Sequence, residues 1–174
     1  MSRHGAVTFK GHPMTLEGQE VRVGQPAPDF QLHAFEDGQM KTIQRSDLQG
    51  KPAILSVVPS LDTGVCQKQT KEFNEQLAAF GDKISALTVS LDLPFAQNRF
   101  CGAENITNLR SASDYQDRSF GTNWGMLMDE LKILARGVFV LDADGRVAYA
   151  QVVKEVTEEP DYAAALAALK KLVG

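Results

Sequence analysis

Residues 53–91 restrict the possible folds of this chain more than any other stretch. Ala53 to Val58 (AILSVV) is a short β-branched run stopped by Pro59, the pattern of a strand buried on both faces. After Pro59-Ser60-Leu61-Asp62 the apolar period changes. Cys66, Thr70, Phe73, Leu77 and Phe80 recur every three or four residues, which is the stripe of an amphipathic helix, and Gly81 ends it. Ile84 to Leu91 then reads as a second strand. Strand, helix and strand in this order make a β-α-β unit, whose strands run parallel and are joined right-handedly.

The remaining segments add elements to both sides of that unit. Ala6 to Lys10 and Met14 to Glu17 read as extended pieces turned at Gly11-His12-Pro13, a β-hairpin annex over about residues 1–24, followed by a Pro26-x-Pro28 connector. Phe30 to Ala34 and Met40 to Ile43 flank Asp37-Gly38, a dipeptide suited to a tight hairpin turn. Leu93 to Cys101 reads as a short helix capped by Asp92 and closed by Gly102, and Thr107 to Ala112 as another strand. Gly137 to Asp142 and Arg146 to Val153 surround Asp144-Gly145 as a hairpin, and Pro160 opens a last helix to about Leu172. This order predicts one α/β domain over residues 1–174, of thioredoxin-like type, with a central mixed β-sheet flanked by helices.

Composition narrows the function classes. At 174 residues and 43% apolar content the chain can bury a sizeable core, so two cysteines are not needed as a disulfide scaffold. The net charge of −4 is spread over well-mixed acids and bases, with no basic block to follow a phosphate backbone, so nucleic acid is not an expected partner. Met1 to Lys10 lacks an apolar leader core and no apolar run is long enough to span a bilayer, which predicts a soluble, cytoplasmic protein. Neither cysteine lies in a C-x-x-C pair or at zinc-ligand spacing from another ligand, so no metal is expected. Asp142-Ala143-Asp144-Gly145 resembles the opening of a calcium loop but lacks the later ligands and reads as a hairpin turn. His4, His12 and His33 are scattered, no glycine-rich phosphate loop is present, and no cofactor is implied.

A reactive cysteine acts as its thiolate and needs a site that favours negative charge. With Asp62 or Thr63 as the cap, Cys66 falls in the first turn of its helix, where unpaired N–H groups and the helix dipole favour an anion. The same position also suits a small apolar residue on the buried stripe, and residue type and spacing leave both readings open. Cys101 stands in the last turn of its helix, where exposed carbonyls disfavour an anion; on residue type and position alone, packing beside Phe95 and Phe100 is the preferred account of it. A thiolate site also calls for a nearby cation, and Lys68, Lys71, Arg99 and Arg136 are all candidates.

The stretch PSLDTGVC at 59–66 resembles the P-x-x-x-T-x-x-C signature of the peroxiredoxins. DLPFAQNRFC at 92–101 and LARGVFVLD at 134–142 extend the resemblance to the thiol peroxidase branch, an atypical two-cysteine group, over nearly the whole chain. The resemblance implies reduction of hydrogen peroxide or alkyl hydroperoxides. Cys66 would be the nucleophile oxidised to a sulfenic acid, and Cys101 the resolving thiol that closes an intrachain disulfide, which a thioredoxin-like protein then reduces. It also implies that the Thr63 hydroxyl positions the peroxide, that Pro59 shields the sulfur, that Arg136 is the active-site cation, and that the protein is a homodimer packed near the active-site helix. No prosthetic group is implied. Gly137 departs from the alanine usual after this arginine, and the smaller neighbour is expected to loosen the arginine's placement. The helix of 93–101 spans roughly 12 Å and leads Cys101 away from Cys66. A disulfide tolerates Cα separations only up to about 7 Å, so this segment is expected to unwind or shift in each turnover. The rival readings are a thioredoxin-like disulfide reductase and a redox sensor or binding module.

Overall fold

A computed structural model describes residues 1–174. The N-terminal strands β1 (Ser2–Phe9) and β2 (His12–Glu17) pair antiparallel through a two-residue turn. Lys10 and Gly11 both have positive φ there (51° and 81°), the geometry that matches the strand twist, so the turn lies one residue earlier than Gly11-His12-Pro13. β3 (Gln31–Glu36) and β4 (Gln39–Gln44) form the second hairpin around Asp37-Gly38, as expected.

β5 (Ala53–Val57), α1 (Gly64–Leu77) and β6 (Ser85–Ser90) form the β-α-β unit. Its strands are parallel, with Ala53 opposite Ser85 and Val57 opposite Val89, and every residue of β5 is buried. α1 buries Phe73 and Leu77 against Ile54, Val138 and Val140, each such side chain contributing about 1.5–3 kcal/mol. Gly81, at positive φ, stands in a short 3-10 segment after α1.

α2 (Pro94–Ala103) opens on Leu93 as its N-cap residue, with Pro94 in the first turn. Asp92 is therefore not the cap, because its carboxylate is engaged elsewhere. Gly102 lies inside the helix, and Asn105, in the left-handed region, ends the turn while the Ile106 N–H reaches back to the Cys101 carbonyl at 2.9 Å. β7 (Arg110–Ser113) runs parallel to β6.

The stretch that follows contains α3 (Ser119–Asn123), β8 (Leu127–Met128) and β9 (Ile133–Leu134). None of these was expected, since pieces of five and two residues are too short to display a period. β10 (Gly137–Leu141) and β11 (Val147–Val152) form the hairpin that reads from sequence, with the Asp142 carboxylate accepting from the turn amides of Asp144 and Arg146. α4 (Tyr162–Val173) is capped by Asp161, whose side chain accepts from the Ala164 amide at 3.0 Å.

The central sheet has seven strands in the order β11-β10-β5-β6-β7-β3-β4, mixed in direction, and a second sheet has the order β1-β2-β8-β9. Helices lie against a central mixed sheet and a hairpin stands at the N-terminus, so the fold class read from sequence holds. The main core includes Phe30, Phe120 and Trp124 in mutual ring contact and Phe139 against Trp124, with the Trp124 indole N–H donating to the Pro28 carbonyl. No helix is long and apolar enough to cross a membrane.

Candidate active site

The strand β5 ends at the edge of a crevice because Pro59 cannot continue the ladder. The chain crosses in residues 59–63 and starts α1, an arrangement that puts Cys66 in the first helical turn, with Thr63 as the N-cap residue. The Thr63 hydroxyl does not cap. It donates to the Ser60 carbonyl at 3.0 Å, and its acceptor lone pairs remain free of protein donors.

Asp92, at the C-terminal end of β6, holds this loop. Its carboxylate accepts from the Ser60 hydroxyl (2.7 Å), the Leu61 amide (2.8 Å) and the Ser90 hydroxyl (2.7 Å). Ser90 in turn accepts from Nε2 of Gln97 on α2 at 3.0 Å, and the same amide nitrogen donates to the Ala112 carbonyl at 3.0 Å. A continuous chain of hydrogen bonds thus runs from α2 through Asp92 to the loop before Cys66.

Cys66 is buried in a small apolar cluster with Val58 and Leu61, against which Phe100 packs. Arg136 approaches it from the start of β10. The guanidinium is 2% exposed and uses all three nitrogens: Nε donates to the Val156 carbonyl (2.8 Å), Nη1 to Oε1 of Gln69 (3.0 Å) and Nη2 to the Cys66 sulfur (3.4 Å). Gln69, one turn beyond Cys66, is itself held by the Ser56 hydroxyl, to which its Nε2 donates at 2.8 Å. No carboxylate pairs with Arg136, whereas Lys68 and Lys71 are exposed and paired with Glu159 and Glu104. Of the four candidate cations, the structure brings Arg136 to the sulfur.

Gly137 does not loosen this arrangement. A Cβ there would stand 2.6 Å from the Gln151 carbonyl oxygen and 2.8 Å from the Met126 methyl, so glycine permits the close pairing of β10 with β11 that fixes the preceding residue. The expectation of a loosened arginine is overturned by this contact and by the three hydrogen bonds.

Cys101 lies elsewhere in the packing. It is half-buried near the end of α2, against the cluster that contains Phe73, Leu77, Ile106 and Leu109, and both thiols are free. Burial pushes the Cys101 thiol up, partly offset by a hydrogen bond with Ser111. Helix-end carbonyls were the reason read from sequence for keeping it protonated; burial is the larger cause.

A pocket of about 280 Å³ opens beside the site, lined by Pro59, Thr63 and Val65 of the loop and helix start, by Arg136, and by Phe9 and Lys10 of the N-terminal hairpin. Gln69 and the two hairpin residues were not among the residues singled out from sequence, and Asp92 was read there as a helix cap rather than as the anchor of this loop. A polar residue on the buried stripe of α1 was the readable signal for Gln69; nothing local marks Phe9 or Lys10.

The family model described as Redoxin matches residues 22–166. The chain is 48% identical over 169 residues to the thiol peroxidase of Bacillus subtilis, covering 96% of this chain and 98% of that one. It is 47% identical to the thiol peroxidase of Staphylococcus aureus over 95% of this chain and 98% of the relative. Among solved structures, a peroxiredoxin-like protein from Aquifex aeolicus superposes with a TM-score of 0.86 at 40% identity, covering 98% and 99% of the two chains. The thiol peroxidase from Chromobacterium violaceum, at 17% identity and a TM-score of 0.80 over 95% of each chain, shares the fold.

Proposed function

The chain belongs to the Redoxin family and, within it, to the thiol peroxidase branch of the peroxiredoxins, and from that premise we propose that it reduces hydrogen peroxide and alkyl hydroperoxides through Cys66 and Cys101. The observation that carries the assignment is the buried, carboxylate-free guanidinium of Arg136 at 3.4 Å from the Cys66 sulfur. Arg136 makes no salt bridge, so its Nη2 is left to the Cys66 sulfur and its positive charge stands beside the atom that has to act as nucleophile.

In this mechanism the Cys66 sulfur attacks one peroxide oxygen. The S–O bond forms as the O–O bond breaks, and hydroxide or alkoxide leaves and takes a proton as water or alcohol. Arg136 faces both the nucleophile and the charge that develops on the leaving oxygen. Thr63 accepts a hydrogen bond from the bound peroxide; its own proton serves the Ser60 carbonyl in the resting state. Pro59 lines the pocket, and in this reading it shields the sulfur from bulk water. Cys101 then attacks the Cys66 sulfenic acid, an S–S bond forms and water leaves. The two cysteines belong to different apolar clusters, with Phe100 packed against both, and in this reading α2 shifts or unwinds before the disulfide closes.

A thioredoxin-like dithiol protein completes the cycle, in a reducing cytoplasm suited to two free thiols. We further propose a homodimer packed near the active-site helix α1, to which Leu93 and Phe95 at the start of α2, 53% and 56% exposed, offer apolar surface. The disulfide-reductase reading is disfavoured because Cys66 has no exposed surface for a bulky disulfide to reach.

The test is stopped-flow reaction of the reduced protein with one equivalent of hydrogen peroxide or cumene hydroperoxide, followed by mass spectrometry. Wild type is expected to lose two hydrogens rapidly, Cys66→Ser to show no fast reaction, and Cys101→Ser to stop at a sulfenic or higher acid. Wild type reacting no faster than a free thiol would overturn the assignment.

A further inference from the structure

One half-buried carboxylate outside the site gathers five hydrogen bonds. Glu155, between β11 and α4, accepts through Oε1 from the Thr8 hydroxyl (2.8 Å) and the Gly11 amide (2.8 Å). Through Oε2 it accepts from the Lys10 amide (3.1 Å), the Thr157 amide (2.9 Å) and the Thr157 hydroxyl (2.6 Å). The Thr157 donors above all, with those of Gly11 and Thr8, hold its carboxyl well below the usual carboxylate range. Around it the backbones of hairpin and segment are also joined, Thr8 N–H to the Lys154 carbonyl and Val156 N–H to the Thr8 carbonyl, each at 2.8 Å.

The position of this clasp matters for what stands next to it. Val156, the residue after Glu155, presents the carbonyl that accepts from Nε of Arg136 at 2.8 Å. Its other neighbours in the clasp, Lys10 and Thr157, line the pocket with Phe9 and Val156. An interaction made by the hairpin turn therefore reaches the sulfur in three links: Glu155 to the 154–157 backbone, Val156 to Arg136, and Arg136 to Cys66.

We propose that Glu155 is a positioning residue for the peroxide step, clasping the Lys10-Gly11 turn to residues 154–157 so that the Val156 carbonyl aims Arg136 at the Cys66 sulfur. The proposal rests on the peroxidase reading and adds to it a function for the N-terminal hairpin. A residue acting in this way exerts its effect through Arg136, so its removal has no further consequence once Arg136 is gone.

The experiment is a double-mutant cycle. Glu155→Gln is the first variant, because an amide turned either way places its own N–H groups against one set of amide and hydroxyl donors while leaving the side-chain size unchanged. The second-order rate of Cys66 oxidation by hydrogen peroxide is measured in wild type, Glu155→Gln, Arg136→Ala and the double variant, with thermal unfolding recorded for each. Glu155→Gln is expected to react about five- to tenfold more slowly than wild type, and the double variant to react at the rate of Arg136→Ala. An equal loss in both backgrounds, or no loss in wild type, overturns the proposal. Thr157→Val, which removes the 2.6 Å hydroxyl donor, supplies the same cycle where Glu155→Gln does not fold, with about a two- to threefold loss expected. Failure of the underlying reading has a different signature: wild type itself then reacts no faster than a free thiol, with Cys66→Ser unchanged from it.

Discussion

The surroundings of Cys66 and of Cys101 differ in how firmly they hold a sulfur. Cys66 sits where strand end, helix start, β10 and the 154–157 segment converge, and each polar contact is backed by another: Arg136 by Val156 and Gln69, Gln69 by Ser56, the loop by Asp92. Cys101 sits on the ten-residue helix α2, whose one buried polar side chain is Gln97. The contrast teaches a division of labour. Under the proposed mechanism the sulfur that meets a small, reactive substrate is the one fixed in advance, since orientation supplies much of the rate, and the resolving sulfur is the one asked to travel.

The most direct way to break that contrast is to remove the charge on the fixed side. Arg136→Ala is expected to slow Cys66 oxidation by about a hundredfold or more, read by stopped-flow at fixed pH; a loss below threefold would mean that the fixed site does not depend on its cation.

The second handle is Asp114, which is buried at the end of β7 and accepts from the Phe120 and Gly121 amides at 3.0 and 2.8 Å. Gly121 abuts Leu134, two residues before Arg136, so this acid supports the backbone that leads to the cation. Burial pushes its carboxyl up from 3.8 to about 6. Between about pH 4 and pH 6 the folded chain keeps a proton that the unfolded chain has lost, so this group's contribution to stability falls as pH rises through that window. The stability difference between wild type and Asp114→Asn is expected to change by up to about 3 kcal/mol from pH 4 to pH 7, against wild type. Urea unfolding at the two pH values measures it.

Asp92 is where the two regions communicate. Asp92→Ala strands the Ser60 and Ser90 hydroxyls and the Leu61 amide, and is expected to cost about 2 kcal/mol in urea unfolding. If the link is what restrains α2, the disulfide will also close faster after oxidation. Gly137→Ala tests the tight pairing beneath Arg136; with a carbonyl oxygen 2.6 Å from the new Cβ, a loss of about 1–2 kcal/mol is expected from thermal unfolding. The smallest effect is expected from Cys101→Ser on the first chemical step, within about twofold of wild type, because Cys101 packs in a different cluster from Cys66. A larger change would show that the movable side also shapes the fixed one.

The fold was legible wherever a run of residues was long enough to show its period. AILSVV, the Cys66-to-Leu77 stripe, the Asp37-Gly38 and Asp144-Gly145 turns and the Ala-rich end of the chain carry local signals that survive in the structure. The segment from 114 to 136 did not show its elements, because α3, β8 and β9 exist only where Asp114, Gly121 and the N-terminal hairpin hold them. Asp92 reads as a helix cap by type and position, yet its carboxylate satisfies a loop thirty residues earlier in the chain.

For the site, local sequence was sufficient to place Cys66 at a helix start after a proline, because capping and strand termination act within a few residues. It was equally sufficient to place Cys101 late in its own short helix. Which cation meets the sulfur, which carbonyl aims that cation, and which hairpin walls the pocket depend on contacts between residues 20 to 147 positions apart. Such contacts are set by how the sheet orders its strands and by what each buried polar group needs as a partner, and no stretch of chain contains both halves of any of them.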